Sequence, residues 1–102
     1  MIRVTLDVDA DPSPMLMLQA ETWEVHIRAS LADLSRLTSI RRANWDERRS
    51  LQVGECAGAP VFWAVAGDDH ATILIGQDDE TWDAALIVPL ATIDEIVTLT
   101  RP

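Results

Sequence analysis

The sequence has one cysteine, no lysine, no tyrosine and no long apolar run. Its single Cys56 cannot form a disulfide within the chain, whereas small secreted proteins usually carry two or more cysteines. The first nine residues alternate apolar and polar side chains, which is unlike a signal peptide. No segment approaches the roughly 18 consecutive apolar residues of a membrane helix. These absences predict a cytoplasmic protein that does not enter a membrane.

Positive charge is also scarce, because eight Arg face seventeen Asp plus Glu and the net charge is −9. Nucleic acids and anionic lipid surfaces both attract positive charge, so neither is an expected partner. A basic protein is an acceptable partner, because complementary fields steer association. The alternative is that the charge only keeps a small protein soluble.

The composition is that of an ordinary globular domain, with 48% apolar and 25% charged residues. A length of 102 residues is enough for one domain. We therefore expect a single domain over residues 1–102.

The first half of the chain contains two alternating segments, 2–8 and 22–29, which predict half-buried strands. The short run 15–18 is ambiguous between strand and other structure. Ser30 occupies an N-cap position before leucines spaced by three, which predicts a short helix over 31–38. Residues 39–49 are polar and predict a loop or an exposed helical turn.

The second half contains short apolar segments separated by Gly, Asp and Pro turns, which is typical of hairpins. The predicted strands are 50–56, 61–66, 71–76 and 82–88. Thr92 and Glu95 have the spacing of a capping box, which predicts a closing helix over 92–100. The expected fold is α+β: an antiparallel β-sheet meander of about 5–6 strands with two short helices packed on one face.

Three of these strands are apolar on both faces, and two short helices can cover only one face. The other face must be hidden by loops, by a second copy or by a partner. We therefore expect a homodimer whose interface is formed by Val61, Trp63, Val65 and Ile87.

The sequence contains no clear catalytic, metal-binding or nucleotide-binding motif. His26 alternates onto the polar face of its strand, and His70 follows two aspartates at a hairpin tip without a second ligand at suitable spacing. Cys56 has no adjacent helix start to lower its pKa. The four glycines do not have phosphate-loop spacing. We expect no catalytic residue, no metal ligand and no cofactor.

The densest charged feature is the Asp78-Asp79-Glu80 turn with Asp83 beside it, and a second acidic turn contains Asp68 and Asp69. Consecutive hairpin turns fall at opposite ends of a meander, so the two turns are not expected to form one site. Trp45 lies in a charged loop, where an interface role is as reasonable as burial. The predicted partner-binding residues are Asp78, Asp79, Glu80, Asp83, Trp45, Asp68 and Asp69. The arginines at 41, 42, 48 and 49 are expected to pair with nearby acids, and a phosphate or RNA site is the alternative.

The plan of the chain resembles the small immunity proteins of bacterial polymorphic toxin systems. The resemblance covers the whole chain as a short acidic domain with a helix, a strand meander and a closing helix. The segment Ala71–Trp82 and the isolated Trp45 carry it most clearly. It implies a protein that buries an acidic patch in the basic site of a toxin, and it transfers no individual site residue.

The expected function is therefore a non-catalytic, acidic protein-binding module that neutralises a cognate bacterial toxin. One alternative is a small enzyme or ligand-binding domain that uses His26 or His70 in a pocket between sheet and helices. Another alternative is a self-assembling structural domain. A pocket holding a histidine and a carboxylate would favour the enzyme, whereas an acidic surface bearing a tryptophan would favour the binder.

Overall fold

A seven-stranded antiparallel sheet forms the frame of the protein, in a computed structural model that describes residues 2–101. Each strand pairs with the next one along the chain. The strands are β1 Arg3–Asp7, β2 Met15–Gln19, β3 Glu24–Arg28, β4 Leu51–Cys56, β5 Ala59–Ala66, β6 His70–Gly76 and β7 Trp82–Pro89. The predicted α+β class and antiparallel meander are confirmed, with seven strands instead of five or six. The additional strand is β2, which the sequence left ambiguous.

Two α-helices interrupt and close the meander. Helix α1 spans Leu31–Ser35 and continues as a 3-10 helix over Arg36–Arg42. The Ser30 hydroxyl caps α1 by accepting a hydrogen bond from the Asp33 N–H at 3.0 Å. A short 3-10 turn follows at Trp45–Glu47.

Helix α2 spans Leu90–Thr100 and begins earlier than the capping-box pattern predicts. Its first backbone N–H, at Leu90, donates to the Asp69 carbonyl at 2.9 Å instead of to a side chain. Thr92 is a buried residue inside the first turn and does not cap the helix. The capping-box prediction is wrong because the β5–β6 turn satisfies the free donor that a cap would otherwise satisfy.

The main hydrophobic core lies between the helices and one face of the sheet. Strand residues at alternate positions meet the helix residues Leu34, Ile93 and Ile96 there. Trp63 is the largest fully buried side chain, and its indole N–H donates to the Val53 carbonyl at 3.0 Å. Among the described side chains, no buried nitrogen or oxygen atom lacks a hydrogen-bond partner.

The placement of Trp63 corrects the predicted dimer interface. Val61 and Trp63 belong to the core, are 0% exposed and are unavailable to a second copy. Val65 is half-buried against the same core, and only Ile87 is open to solvent, at 67%. The sequence showed that these residues are apolar, but it could not show which face the helices cover.

Two apolar residues on the opposite face of the sheet are also buried, and the loop before β4 lies against β5. Ala64 and Leu74 are 1% and 4% exposed although they lie outside the main core cluster. The Trp45–Glu47 turn contacts β5, and the Val65 N–H donates to the Ala43 carbonyl at 2.7 Å. The loop therefore pairs with β5 in the plane of the sheet, through an isolated parallel bridge between Asn44 and Val65.

The sheet is weakly joined between β3 and β4. Arg28 and Glu55 are the one residue pair in register there, and β4 bulges between Gln52 and Glu55. Gly54 makes this close approach feasible, because a Cβ at that position would lie 2.7 Å from Ile27 Cγ2 and 2.9 Å from the Arg28 oxygen. The weak seam leaves a cleft beside α1.

No helix within residues 2–101 combines the length and the apolar composition needed to cross a membrane.

Candidate functional site

The acidic turn between β6 and β7 is held together by one of its own carboxylates. Asp78 Oδ1 accepts hydrogen bonds from the Glu80 N–H at 2.9 Å and the Thr81 N–H at 2.6 Å. These backbone donors lower the pKa of Asp78. The carboxylate therefore supports the turn above the ordinary Asp pKa and loses this role as the pH falls through the lowered value. Asp78 is an organising residue of the turn.

Asp79 faces the loop before β4. It is half-buried, and its Oδ2 accepts a hydrogen bond from the Ser50 hydroxyl at 2.7 Å. Glu80 and Asp83 are exposed. Neither has an ion-pair partner within 4.0 Å among the residues that the structure describes. They are the carboxylates of this turn that are open to an incoming partner.

Trp82 lies between these two carboxylates in the sequence and begins β7. Its side chain is 45% exposed instead of turned into the core. The β6–β7 turn and the start of β7 therefore expose one tryptophan and two carboxylates within four consecutive residues. We name Glu80, Trp82 and Asp83 the acidic edge.

The second predicted acidic turn lies elsewhere. Asp68 and Asp69 form the β5–β6 turn, and β6 separates it from the acidic edge by seven residues, or about 20 Å at the rise of a strand. Asp69 Oδ1 lies 2.8 Å from His70 Nδ1, and the Asp69 carbonyl receives the first N–H of α2. Asp68 and Asp69 therefore cannot act with the acidic edge in one compact site.

Trp45 is half-buried and serves as a support for an arginine. The Arg48 guanidinium lies 5.0 Å from the centre of the Trp45 ring, a cation–π arrangement. The Ser50–Asp79 hydrogen bond joins this loop to the acidic turn. The structure thus connects the loop of Trp45 to Asp79 but places neither residue on the acidic edge.

A cleft of about 840 Å³ opens at the β3–β4 seam. Its place at the seam was not predicted, although one alternative from the sequence was a pocket between sheet and helices that uses His26. Its lining includes His26, Arg28, Asp33, Arg36 and Glu55. These residues come together because two strands that barely overlap leave space beside α1. The sequence offers one weak signal for this, a glycine inside an otherwise regular strand.

The arginines of this cleft already have partners. Arg28 donates to the carbonyls of Asp11 at 3.3 Å and Ser13 at 3.2 Å. Arg36 donates to Asp33 Oδ1 at 2.7 Å and to the Gln52 carbonyl at 2.9 Å. These hydrogen bonds hold neighbouring loops in place and use only the Nη1 atoms, so they do not occupy every guanidinium donor.

His26 is the titratable ring of the cleft, and its nearest carboxylate is Glu24. The Nε2 atom lies 2.6 Å from Glu24 Oε2. The pKa of Glu24 is lowered, first by this hydrogen bond and then by the one from Gln19. Both partners of the pair are exposed, an environment without the desolvation that activates catalytic groups.

The remaining chemistry-bearing groups do not converge. Within residues 2–101, no group of three or more His, Cys, Asp or Glu side chains is arranged to hold a metal ion. Cys56 is half-buried and packs at the edge of the core.

Comparison of the chain with models of protein families, with curated proteins and with solved structures found no match. What this protein can bind must therefore be inferred from its own geometry.

Proposed function

We propose that this protein is a non-catalytic binding module that docks a basic protein on its acidic edge. The observation that carries the proposal is the 45% exposure of Trp82 between two unpaired carboxylates. Tryptophan is enriched among the residues that dominate binding energy at interfaces. Exposed carboxylates beside it would speed the approach of a basic partner.

The strand that bears Trp82 supports the same conclusion. Strand β7 is an edge strand, and only Val88 among its eight residues is buried. It exposes Ile87 as well as Trp82 and carries one charge, Asp83. The other edge strand, β1, has five residues and carries charges at Arg3 and Asp7. Long apolar edges attract other chains and are normally protected, so the contrast supports β7 as the side that would receive a partner.

The specific form of the proposal follows the resemblance to immunity proteins. In that form the partner is a toxin domain with a basic active surface, and the module neutralises it in the cytoplasm by covering that surface. The net charge of −9 suits this role, because a strongly charged inhibitor meets an oppositely charged enzyme quickly.

Replacing Trp82 with alanine is expected to weaken partner binding by at least tenfold, because it removes the aromatic anchor. Leu99→Ala is the matched control, because Leu99 is 42% exposed on α2. Partners captured from the source cells by the wild-type protein would be titrated against both variants by calorimetry. Equal affinity for the wild type and Trp82→Ala would contradict the proposal.

A second copy of this chain is the alternative occupant of the β7 edge, through Ile87. Light scattering distinguishes the two, since self-association gives a dimer mass for the isolated protein and a heterologous partner does not require one. Obligate dimers bury roughly 2,000 Å² or more. Of the predicted interface residues, only Ile87 is open enough to contribute fully to such a contact.

A small-ligand site in the seam cleft is the second candidate function, favoured by the cleft volume of about 840 Å³ and by His26 in its lining. Ligand pockets commonly have volumes of several hundred Å³ with a few convergent polar groups. A ligand there would shift the ring signals of His26 in a titration, whereas a partner on the acidic edge would shift those of Trp82.

A further inference from the structure

A second cavity, of about 490 Å³, lies between the 39–50 segment and the acidic turn. Three arginines and two serines supply nearly all of its polar lining: Arg42, Arg48, Arg49, Ser39 and Ser50. The one carboxylate in the lining is Asp79, which accepts the Ser50 hydroxyl. In a chain of net charge −9, such a concentration of cations requires an explanation.

The arginines of this cavity are little engaged by carboxylates. Within residues 2–101, Arg42 and Arg48 have no carboxylate within 4.0 Å, and Arg49 has one contact, with Glu47 at 3.7 Å. Arg41 lies beside them in the sequence but points elsewhere, with two hydrogen bonds to Asp94 at 3.0 and 3.1 Å. The expectation that this arginine cluster pairs with local acids therefore holds for Arg41 but not for Arg42 or Arg48.

The loop holds Arg48 in a defined position. Arg48 has a left-handed backbone with φ 57°, and its N–H donates to the Trp45 carbonyl at 2.9 Å. The Asn44 carbonyl accepts the Arg49 N–H at 3.1 Å, and the Asn44 side chain accepts the Asp46 N–H at 2.9 Å. With the Trp45 ring beneath it, the Arg48 guanidinium is partly pre-ordered before any ligand arrives, which lowers the entropic cost of binding.

We propose that this cavity binds a phosphate-type oxyanion, either free phosphate or a phosphomonoester group. Guanidinium groups suit the geometry and charge of phosphate oxygens, and serine hydroxyls add neutral donors. Asp79 opposes the ligand electrostatically, but it leaves two net positive charges in the lining. The proposal is independent of any partner on the acidic edge.

The test is an NMR titration with inorganic phosphate and, separately, with phenyl phosphate. Sodium chloride at matched ionic strength is the reference. The expected result is a saturable shift of the backbone amides at 48–50 that chloride does not reproduce. Stronger binding of phenyl phosphate would identify a phosphomonoester, whereas stronger binding of inorganic phosphate would identify the free ion. Shifts that fail to saturate, or that chloride reproduces, would overturn the proposal.

Matched variants locate the binding site. Arg42→Gln and Arg48→Gln should each weaken phosphate binding about tenfold, whereas Arg3→Gln, on β1, should leave it unchanged. Asp79→Asn should strengthen binding, and Asp83→Asn, with the same change of charge outside the cavity lining, should not. Equal effects of Asp79→Asn and Asp83→Asn, or unchanged affinity in both arginine variants, would show only a diffuse charge effect and overturn the proposal.

Discussion

Replacing Trp63 with alanine is expected to lower the free energy of unfolding by about 3–5 kcal/mol. Trp63 is 0% exposed and is the largest fully buried side chain of the core. Its removal would leave a large cavity between the sheet and the helices. It would also leave the Val53 carbonyl without its indole donor, which lies at 3.0 Å. Small domains have about 5–15 kcal/mol of stability, so the loss would be a large fraction of it.

Urea unfolding followed by circular dichroism measures this effect. Trp82→Ala is the matched control, because it makes the same chemical change at a side chain that is 45% exposed. That control should cost clearly less than Trp63→Ala, since nearly half of the Trp82 surface is already in water. Similar losses in the two variants would mean that Trp63 is not the centre of the core.

Gly54→Ala is expected to have the second large effect, a destabilisation of about 2–5 kcal/mol from combined backbone strain and overpacking. Gly54 has φ +80°, a conformation that side chains rarely adopt. A Cβ there would also lie 2.7 Å from Ile27 Cγ2 and 2.9 Å from a backbone oxygen. The only register pair between β3 and β4 is adjacent to this position, so the seam would have to open.

Gly58→Ala separates the two causes. Gly58 has nearly the same φ, +83°, but a Cβ there would have no neighbour within 4 Å. This variant should show the backbone strain alone and cost about 1 kcal/mol. In hydrogen exchange, Gly54→Ala should specifically weaken protection of the β3 and β4 amides. If Gly54→Ala and Gly58→Ala lowered the free energy of unfolding equally, close packing at the seam could not be a cause of the destabilisation.

Most of the fold could be predicted from local pattern, and the exceptions have identifiable causes. Met15–Gln19 is a strand, although its four consecutive apolar residues show no alternation of apolar and polar side chains. Leu16 and Leu18 are fully buried in the main core, whereas Met15 and Met17 are half-buried. A segment that is covered to some extent on both sides loses the period-two signal.

The functional surfaces were harder to predict from the sequence, because they depend on contacts between residues far apart in the chain. The acidic turn was visible as a run of carboxylates, but the separation of Asp79 from Glu80 depends on Ser50, 29 residues away. The arginine cavity forms because the 39–50 segment packs beside that turn. Neither contact leaves a periodic or spaced pattern in the sequence.

The central claim, binding through the acidic edge, is tested most directly by the salt dependence of partner association. Stopped-flow rates would be compared for the double variants Glu80→Gln/Asp83→Asn and Asp68→Asn/Asp69→Asn, which remove equal charge at opposite ends of β6. The first pair should lower the association rate about tenfold at low salt and flatten its salt dependence. The second should have a much smaller effect, because its charges lie farther from the docked partner. Equal effects of the two pairs would contradict a localised acidic edge and leave only the influence of net charge.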